Sequence, residues 1–291
     1  VAGGGAVGDG CAGVSDFAKE REKLSELGEN VFTQAIVQAP GENFADGLTT
    51  VELGVPEYGR VMEQWRAYCE ALRSCGLILT ELEADLRYPD ACFVEDAAIV
   101  TAHGAMLTRP GAGSRLGEVE AMAPVVRGFY PEAGRIAAPG TLDGGDICEA
   151  GRHFFLGLSH RTNEEGARQL GEHLRREGFS CSTVDVRGMT SILHLKSGIS
   201  YIGDDTLVVM EEMAEWPAFT ADGVPRYELL RVSEEESYAA NCVRVNDRVL
   251  VAAGYPKFEA ELRARGFDPL VLEMSEFRKM DGGLSCLSLR F

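Results

Sequence analysis

The sequence predicts an α/β fold built from one supersecondary unit repeated around an axis. Two observations lead there. Amphipathic helical stretches alternate along the chain with short apolar, strand-like runs, the order expected of α/β folds. Polar residues at apparent strand ends also recur at Asp46, Asp96, Asp146, Lys196, Asn241 and Cys286, separated by 50, 50, 50, 45 and 45 residues. Intervals of that size suit a repeated unit, and equivalent strand ends would converge on a central cavity where function would lie. The repeats share little sequence, so spacing alone does not separate repetition from coincidence.

In chain order, Val1 to Gly13 is rich in Gly and Ala and is expected to be disordered. Residues 1–30 read as an N-terminal extension, at least partly disordered, and residues 31–291 as a single folded domain. A Gly-x-Gly-x-x-Gly match at Gly3, Gly5 and Gly8 lacks a preceding strand and a βαβ unit, which excludes a dinucleotide site there. The first helix spans Glu57 to Ser74, where Val61, Trp65, Tyr68 and Leu72 share one face. It stops at Cys75-Gly76, and the apolar Leu77-Ile78-Leu79 follows as a strand. A strand is expected from Val94 to Thr101, then a second helix from Arg115 to Phe129 with Leu116, Met122, Val125 and Val126 inward. The strand His153 to Leu158 precedes a third helix. That helix starts at Thr162-Asn163-Glu164-Glu165, a capping box, and runs to about Arg176. The short turn Glu177-Gly178 and the apolar Phe179 end it. Further strands are Ile199 to Ile202, Leu207 to Met210, Cys242 to Val245 and Val249 to Ala252. Ser233 to Ser237, holding Glu234, Glu235 and Glu236, reads as a solvated loop or helix start. A fourth helix covers about Lys257 to Arg265, stopped by Gly266 and followed by Phe267.

Length allows one large domain or two ordinary ones, enough to bury a core without disulfide or metal staples. Of 291 residues 45% are hydrophobic and 25% charged, ordinary for a globular chain, but 46 acidic residues face 28 basic ones for a net charge of -18. That balance argues against a nucleic-acid binder and against an anionic membrane surface. A small cation would suit it, although solubility alone also explains it. No apolar run reaches the length of a membrane span. The chain starts at Val1, and no basic segment followed by an apolar run marks a secretory signal, so a cytoplasmic location is expected. The eight cysteines form no Cys-x-x-Cys or Cys/His zinc cluster, and free thiols are expected.

Cys286 follows Asp281-Gly282-Gly283-Leu284-Ser285, where two glycines allow an unusual backbone path and close approach of a ligand. A thiol with a partner histidine can be a nucleophile, whereas an arbitrary cysteine is by default an inert core residue. The candidate partner is His194, flanked by Leu193 and Leu195 before a Lys196-Ser197-Gly198 turn; alone it reads more readily as a core histidine. His103, His153, His160 and His173 sit in or beside polar, turn-like or helical surface segments. Two acidic clusters strengthen the case: Asp90, Glu95 and Asp96 around Phe93, and Asp143 and Asp146 around Gly144-Gly145. Each alone would mark a tight turn. Neither combines with histidines at metal-ligand spacing, so no metal site is expected. Arg115 and Arg161 both lie beside helix starts, where a positive side chain opposes the helix dipole, which hints at anion binding. Carboxylates for a cation, arginines for a carboxylate, and a thiol with an imidazole together fit an arginine-like amino acid.

The combination resembles the dimethylarginine dimethylaminohydrolases, members of the guanidino-group-modifying (pentein) superfamily. The matching strings are Asp46 to Thr49, Phe93 to Asp96, Thr108 to Ala112, Leu142 to Asp146, Arg161 to Asn163, Leu193 to Lys196, Ala239 to Cys242, and Asp281 to Phe291. They come in family order and cover about residues 31–291. The resemblance implies a five-bladed α/β propeller with pseudo-fivefold repeats around a central active site. It also implies hydrolysis of Nω-methylated arginine to citrulline and a methylamine, with no metal and no organic cofactor. Cys286 matches the nucleophile, His194 the general acid/base, and Asp143 the acid that orients it, where some members carry Glu. Asp90, Glu95 and Asp96 match the guanidinium pocket, and Arg115 and Arg161 the ligands of the substrate α-carboxylate. Leu48, on a mobile lid, and Met280 match positions whose main-chain carbonyls hold the substrate amine. The implied partner is a small methylated arginine; a homodimer is compatible with the sequence.

Relatives that act on arginine itself, as deiminases, dihydrolases or amidinotransferases, share the thiol, imidazole and acid. A propeller that only binds ligands would lack the thiol. The separating expectation is that a catalytic Cys286 labels far faster at neutral pH than the other cysteines, whereas uniform slow labelling favours a binding module.

Overall fold

The computed structural model describes residues 31–291. The expected disorder of residues 1–30 and the glycine pattern at Gly3, Gly5 and Gly8 lie outside the described residues. Five three-stranded sheets make up the described chain, and all five share one internal order. A short first strand runs antiparallel to a middle strand, and the middle strand pairs in parallel with a third. The complete units run β3 (Ala98–Val100), β4 (Ala105–Leu107), α2 (Leu116–Phe129), β5 (Gly134–Arg135), then β6 (Ile147–Ala150), β7 (His153–Leu158), α3 (Glu164–Arg176), β8 (Ser180–Asp185). They continue through β9 (Ile199–Tyr201), β10 (Thr206–Met210), β11 (Glu228–Val232), and β12 (Val243–Val245), β13 (Arg248–Ala252), α4 (Pro256–Ala264), β14 (Asp268–Leu272). The fifth unit is discontinuous. β15 (Leu289–Arg290) pairs with β1 (Gln34–Gln38) through Ala35 and Ile36, and β1 leads through α1 (Tyr58–Ser74) to β2 (Ile78–Leu82). That pairing closes the ring.

A parallel pair needs a crossover, and four units supply it with a helix. Between β10 and β11 the crossover is made instead of short 3-10 turns, Glu211–Met213 and Pro217–Phe219. Pro217 and Gly223 interrupt any helical run there. The middle strands β4, β7 and β10 are buried throughout, so they read as continuous apolar runs rather than alternating ones. The first strands face one another around the axis and wall a central cavity of about 600 Å³.

The repeat has a physical basis in the turn before each first strand. Asp96, Asp146, Lys196 and Cys286 lie on the 3-10 turns Val94–Ala97, Gly144–Asp146, Leu195–Ser197 and Ser285–Leu287, and Asn241 directly follows Glu234–Ala240. Asp96 Oδ1 accepts the Gly145 N–H (2.7 Å), Asp146 Oδ1 the Leu195 N–H (3.0 Å), and Asn241 Oδ1 the Ser285 N–H (3.0 Å). Each donor is the residue immediately before the next member of the series. The counted positions are therefore clasps, each tying its turn to the next one around the ring. Lys196 has no side-chain acceptor, and its carbonyl instead receives Asn241 Nδ2 (3.0 Å). Asp46 does not belong to the series: it is exposed, on the 3-10 turn Phe44–Asp46 after β1, and leads into no first strand.

Other expectations need adjusting. The run Val94 to Thr101 is half turn and half strand, the 3-10 turn Val94–Ala97 leading into β3. The third helix is capped by Asn163, whose side chain accepts the Gly166 N–H (2.8 Å). Thr162 is drawn off to Asp146, which its hydroxyl reaches at 2.6 Å. The second helix buries Val119, Met122, Ala123 and Val126, leaving Leu116 38% exposed. Glu236 is buried rather than solvated, its carboxylate accepting the Lys257 and Phe258 N–H groups at the start of α4 (3.1 and 2.7 Å). His153 is buried, bracketed by the Ser180 and Ser182 hydroxyls. The seven cysteines among the described residues are free, as expected, and none of the described helices is long and apolar enough to cross a membrane.

Asn241 both accepts from Ser285 N–H and donates to the Lys196 carbonyl and Ser285 Oγ. Asn241→Ala leaves those buried groups unpaired and is expected to lower stability by about 2 kcal/mol or more. Urea unfolding measures this, and a loss below about 0.5 kcal/mol would show that the clasp carries no load.

Candidate active site

The series of turns delivers a thiol, an imidazole and several carboxylates to one narrow cleft. His194 precedes its 3-10 turn in extended conformation, and its Nε2 lies 3.1 Å from Asp143 Oδ2. Asp143 is fully buried; its Oδ1 accepts the Gly111 N–H (2.8 Å), and its own N–H donates to Thr162 Oγ1 (3.0 Å). Gly145 is required where it stands, because a Cβ there would sit 2.6 Å from His194 Nδ1. Burial alone would lower the proton affinity of His194. Asp96, Asp146 and Asp143 outweigh it and raise the imidazole to about 9. Asp96 moves the other way, to about 2: burial opposes its charge, but His194, Arg115 and the Gly145 N–H favour it.

Cys286 is partly buried on its turn, and the Gly283 N–H points at its sulfur from 3.5 Å. Burial first, then Glu95 and Asp96, push the thiol up to about 12. These surroundings favour the thiol over the thiolate. The two preceding glycines have no left-handed backbone; they permit close packing instead, a Cβ on Gly282 meeting Phe93 at 2.5 Å and one on Gly283 meeting Asn241 at 2.5 Å. The left-handed residue is Asp281, at φ 56°.

The remaining expected residues divide. Asp90, Asp96, Arg115 and Arg161 all line the cleft, as do Leu48 and Met280. Asp90 accepts the Leu48 N–H with both oxygens (3.1 and 3.2 Å), and burial raises its pKa. Arg115 is heavily committed: Nη1 to Asp96 (2.6 Å), Nε to Glu118 (3.0 and 3.1 Å), and Nη2 to Glu118 and the Asp90 and Phe93 carbonyls. Among the described residues the Arg161 guanidinium forms one ion pair, with Asp143 at 3.9 Å, which leaves it donors for an anion. Glu95 is not part of the cleft. Its carboxylate binds Lys196 and Ser285 Oγ and faces Arg290 at 4.0 Å, on the wall of the larger central cavity. Successive residues of a 3-10 turn diverge by about 120°, so Glu95 and Asp96 cannot face the same space.

Glu118 escaped the sequence reading. Its i,i+3 spacing from Arg115 was the available signal, and burial lifts it to about 7 despite the guanidinium beside it. Asp96, Asp143 and His194 bring ligand atoms within 4.8 Å of one another. Asp96 and Asp143 already serve Arg115, His194 and backbone amides with both of their oxygens.

Leu48 belongs to a loop tied beside this cleft by hydrogen bonds. The Thr50 N–H and hydroxyl reach Asp281 Oδ2 (2.5 and 3.0 Å), and the Thr49 hydroxyl reaches the Lys279 carbonyl (3.1 Å). The cleft beneath is left with about 20 Å³.

No protein-family model matches the chain. A dimethylarginine dimethylaminohydrolase of Pseudomonas aeruginosa is 43% identical over 262 residues, which is 90% of this chain and all of that protein. The chain belongs to the dimethylarginine dimethylaminohydrolase family. A second member, from Streptomyces coelicolor, is 35% identical over 258 residues, 88% of this chain and 96% of that one. The Pseudomonas aeruginosa dimethylarginine dimethylaminohydrolase, solved as a cysteine-to-serine mutant complexed with citrulline, superposes with a TM-score of 0.85 at 42% identity, covering 90% of this chain and 100% of that one. Five equivalent sheets around an axis are thus the propeller of this family.

The raised pKa of Cys286 bears on the labelling contrast expected of a catalytic thiol. With its thiol form favoured, Cys286 is expected to react slowly with neutral alkylating reagents in the absence of substrate. Mass spectrometry of the alkylated ligand-free protein checks this; rapid selective modification of Cys286 would show that Glu95 and Asp96 do not hold it protonated.

Proposed function

We propose that this chain hydrolyses Nω-methylated arginine to citrulline and a methylamine through a covalent intermediate on Cys286. The observation that carries the reading is the meeting of Cys286, the charged His194–Asp143 pair and the Asp90 and Asp96 carboxylates in one cleft, with Arg161 in its wall. The family's name and the citrulline complex of its Pseudomonas aeruginosa member support the same substrate and product.

A guanidinium is a weak electrophile because its positive charge is delocalised. Asp90 and Asp96 fix it in the cleft, and the opening of the Leu48 loop admits it. Its positive charge offsets the carboxylates that keep Cys286 protonated; a neighbouring opposite charge shifts a titrating group by about 1–3 units. As the cation binds, the thiol gives its proton to bulk water, and the resulting thiolate attacks the central guanidinium carbon. His194, protonated because three carboxylates surround it, gives its proton to the departing dimethylamine as the carbon–nitrogen bond breaks. The thiouronium left on Cys286 is attacked by water, with neutral His194 now taking the proton. The carbon–sulfur bond breaks, and citrulline leaves as the thiol is restored. Arg161 holds the α-carboxylate, with Arg115 stiffened by Asp96 and Glu118 beside it, and the Leu48 and Met280 carbonyls receive the α-amine. This fixed far end keeps the guanidinium carbon near the sulfur.

Purified protein given arginine and its methylated forms should release citrulline from the methylated ones, and Cys286→Ser should abolish it. Parental turnover by that variant would remove the covalent route. Arg161→Ala should raise KM by about tenfold or more with a smaller change in kcat, as loss of a charged hydrogen bond predicts. A loss confined to kcat would contradict its binding role. Because His194 must be protonated, turnover should fall as pH rises through about 9; a pH–kcat profile measures this, and a flat profile through that range would exclude His194 as the acid.

A further inference from the structure

The segment that leads to Cys286 is gripped at two points from one neighbouring turn. Asn241, directly after the 3-10 turn Glu234–Ala240, takes the Ser285 N–H. Tyr238, on that same turn, donates its hydroxyl to the Gly282 carbonyl at 2.7 Å. Asn241 supplies the clasp between the two units. The mechanism above gives Tyr238 no task.

What the second grip fixes follows from the peptide bond. The Gly282 carbonyl and the Gly283 N–H belong to one planar trans unit, so they point in opposite directions and turn together. That N–H points at Cys286 Sγ from 3.5 Å. Phenol, peptide and sulfur therefore form one chain, O–H to C=O and then N–H to S. Glycine on both sides makes this peptide easy to rotate. Among the described residues no backbone amide reaches the Gly282 carbonyl, so the hydroxyl is its partner.

The phenol is itself held in place. The Arg278 guanidinium lies 4.9 Å from the centre of its ring and donates to the Tyr255 hydroxyl at 2.9 Å. The Tyr255 ring packs against it with centroids 5.9 Å apart. Burial keeps the phenol protonated, so it remains a donor.

We propose that Tyr238 is a positioning residue for the nucleophile, its hydroxyl aiming the Gly283 N–H at Cys286 and polarising that peptide into a better donor to the thiolate. The amide works against the burial and the Glu95 and Asp96 charges that favour the thiol. Asn241 sets where the turn lies, and Tyr238 sets which way one peptide within it faces. The inference rests on Cys286 acting as the nucleophile.

The test is Tyr238→Phe, which keeps the ring beside Arg278 and Tyr255 and removes only the hydroxyl. Alkylation of Cys286 by iodoacetamide in the ligand-free protein, followed by mass spectrometry at about pH 8, should slow by about tenfold, because below its midpoint the rate follows the thiolate fraction. A loop merely loosened would expose the sulfur and speed alkylation, so the sign separates positioning from general support. With methylated arginine, kcat should fall by about tenfold while KM changes less than about threefold. 3-Fluorotyrosine at position 238 returns a hydroxyl donor of nearly the same shape and should restore alkylation to at least the parental rate. Unchanged or faster alkylation of folded Tyr238→Phe overturns the proposal, as does slow alkylation that the fluorotyrosine fails to restore. Failure of Tyr238→Phe to fold would assign the hydroxyl to stability and overturn it as well. Slowed alkylation with parental turnover would instead uphold the hold of Tyr238 on the sulfur and reject Cys286 as the nucleophile.

Discussion

A single kind of hydrogen bond organises this molecule: a side-chain oxygen on one inner turn receives the amide that opens the next turn. Asp96, Asp146 and Asn241 each make it. Because the donor always lies one residue before the next counted position, each clasp fixes both the separation and the rotation of adjacent units. The reactive groups ride on the same turns. His194 stands before one clasped turn and Cys286 on another, so the sulfur and the imidazole inherit their relative placement from backbone geometry rather than from direct contact. Cys286 itself occupies a clasp position, and a thiol there is a poor acceptor, so the series is interrupted where chemistry occurs.

The clasps also concentrate charge. Four buried carboxylates, Glu95, Asp96, Asp143 and Asp146, belong to these turns or their edges, and they act in opposite senses on the two reactive groups. Around His194 they favour the imidazolium; around Cys286 the same sign, supplied by Glu95 and Asp96, favours the neutral thiol. An empty cleft thus holds a charged acid beside an unreactive sulfur. A cation entering the cleft favours the thiolate form of Cys286, which couples activation of the sulfur to occupancy.

Much of this was legible in the sequence where periodicity or spacing carries the information. The face of Tyr58–Ser74 follows from Val61, Trp65, Tyr68 and Leu72, all buried as their spacing requires. The interval between Asp96, Asp146, Lys196, Asn241 and Cys286 was readable because each unit sets one polar residue at the turn before its first strand, three of them as clasps; Asp46 joined the count only by coincidence. What was not legible depends on rotation within short turns and on long-range packing. Glu95 and Asp96 are adjacent in sequence and face different cavities. The glycines before Cys286 suggested an unusual backbone, yet they answer to Phe93 and Asn241, residues far away in the chain. Glu118 looked like an ordinary helix acid until Arg115 was seen buried against it. Proton affinities were beyond reach for the same reason, since they sum over neighbours that only the fold brings together.

The pairing of β15 with β1 has a consequence for how the protein acquires activity. Ala35 meets Arg290 across nearly the whole described chain, and the turn bearing Cys286 leads directly into that closing strand. Contacts of such long sequence separation carry the largest loop-closure entropy and are disfavoured early in folding. The nucleophile's place opposite Asp96 and His194 therefore comes into being only with ring closure. Partly folded chains have the acid, the carboxylates and the sulfur without their juxtaposition, so reactivity and completion of the fold arrive together as one cooperative event.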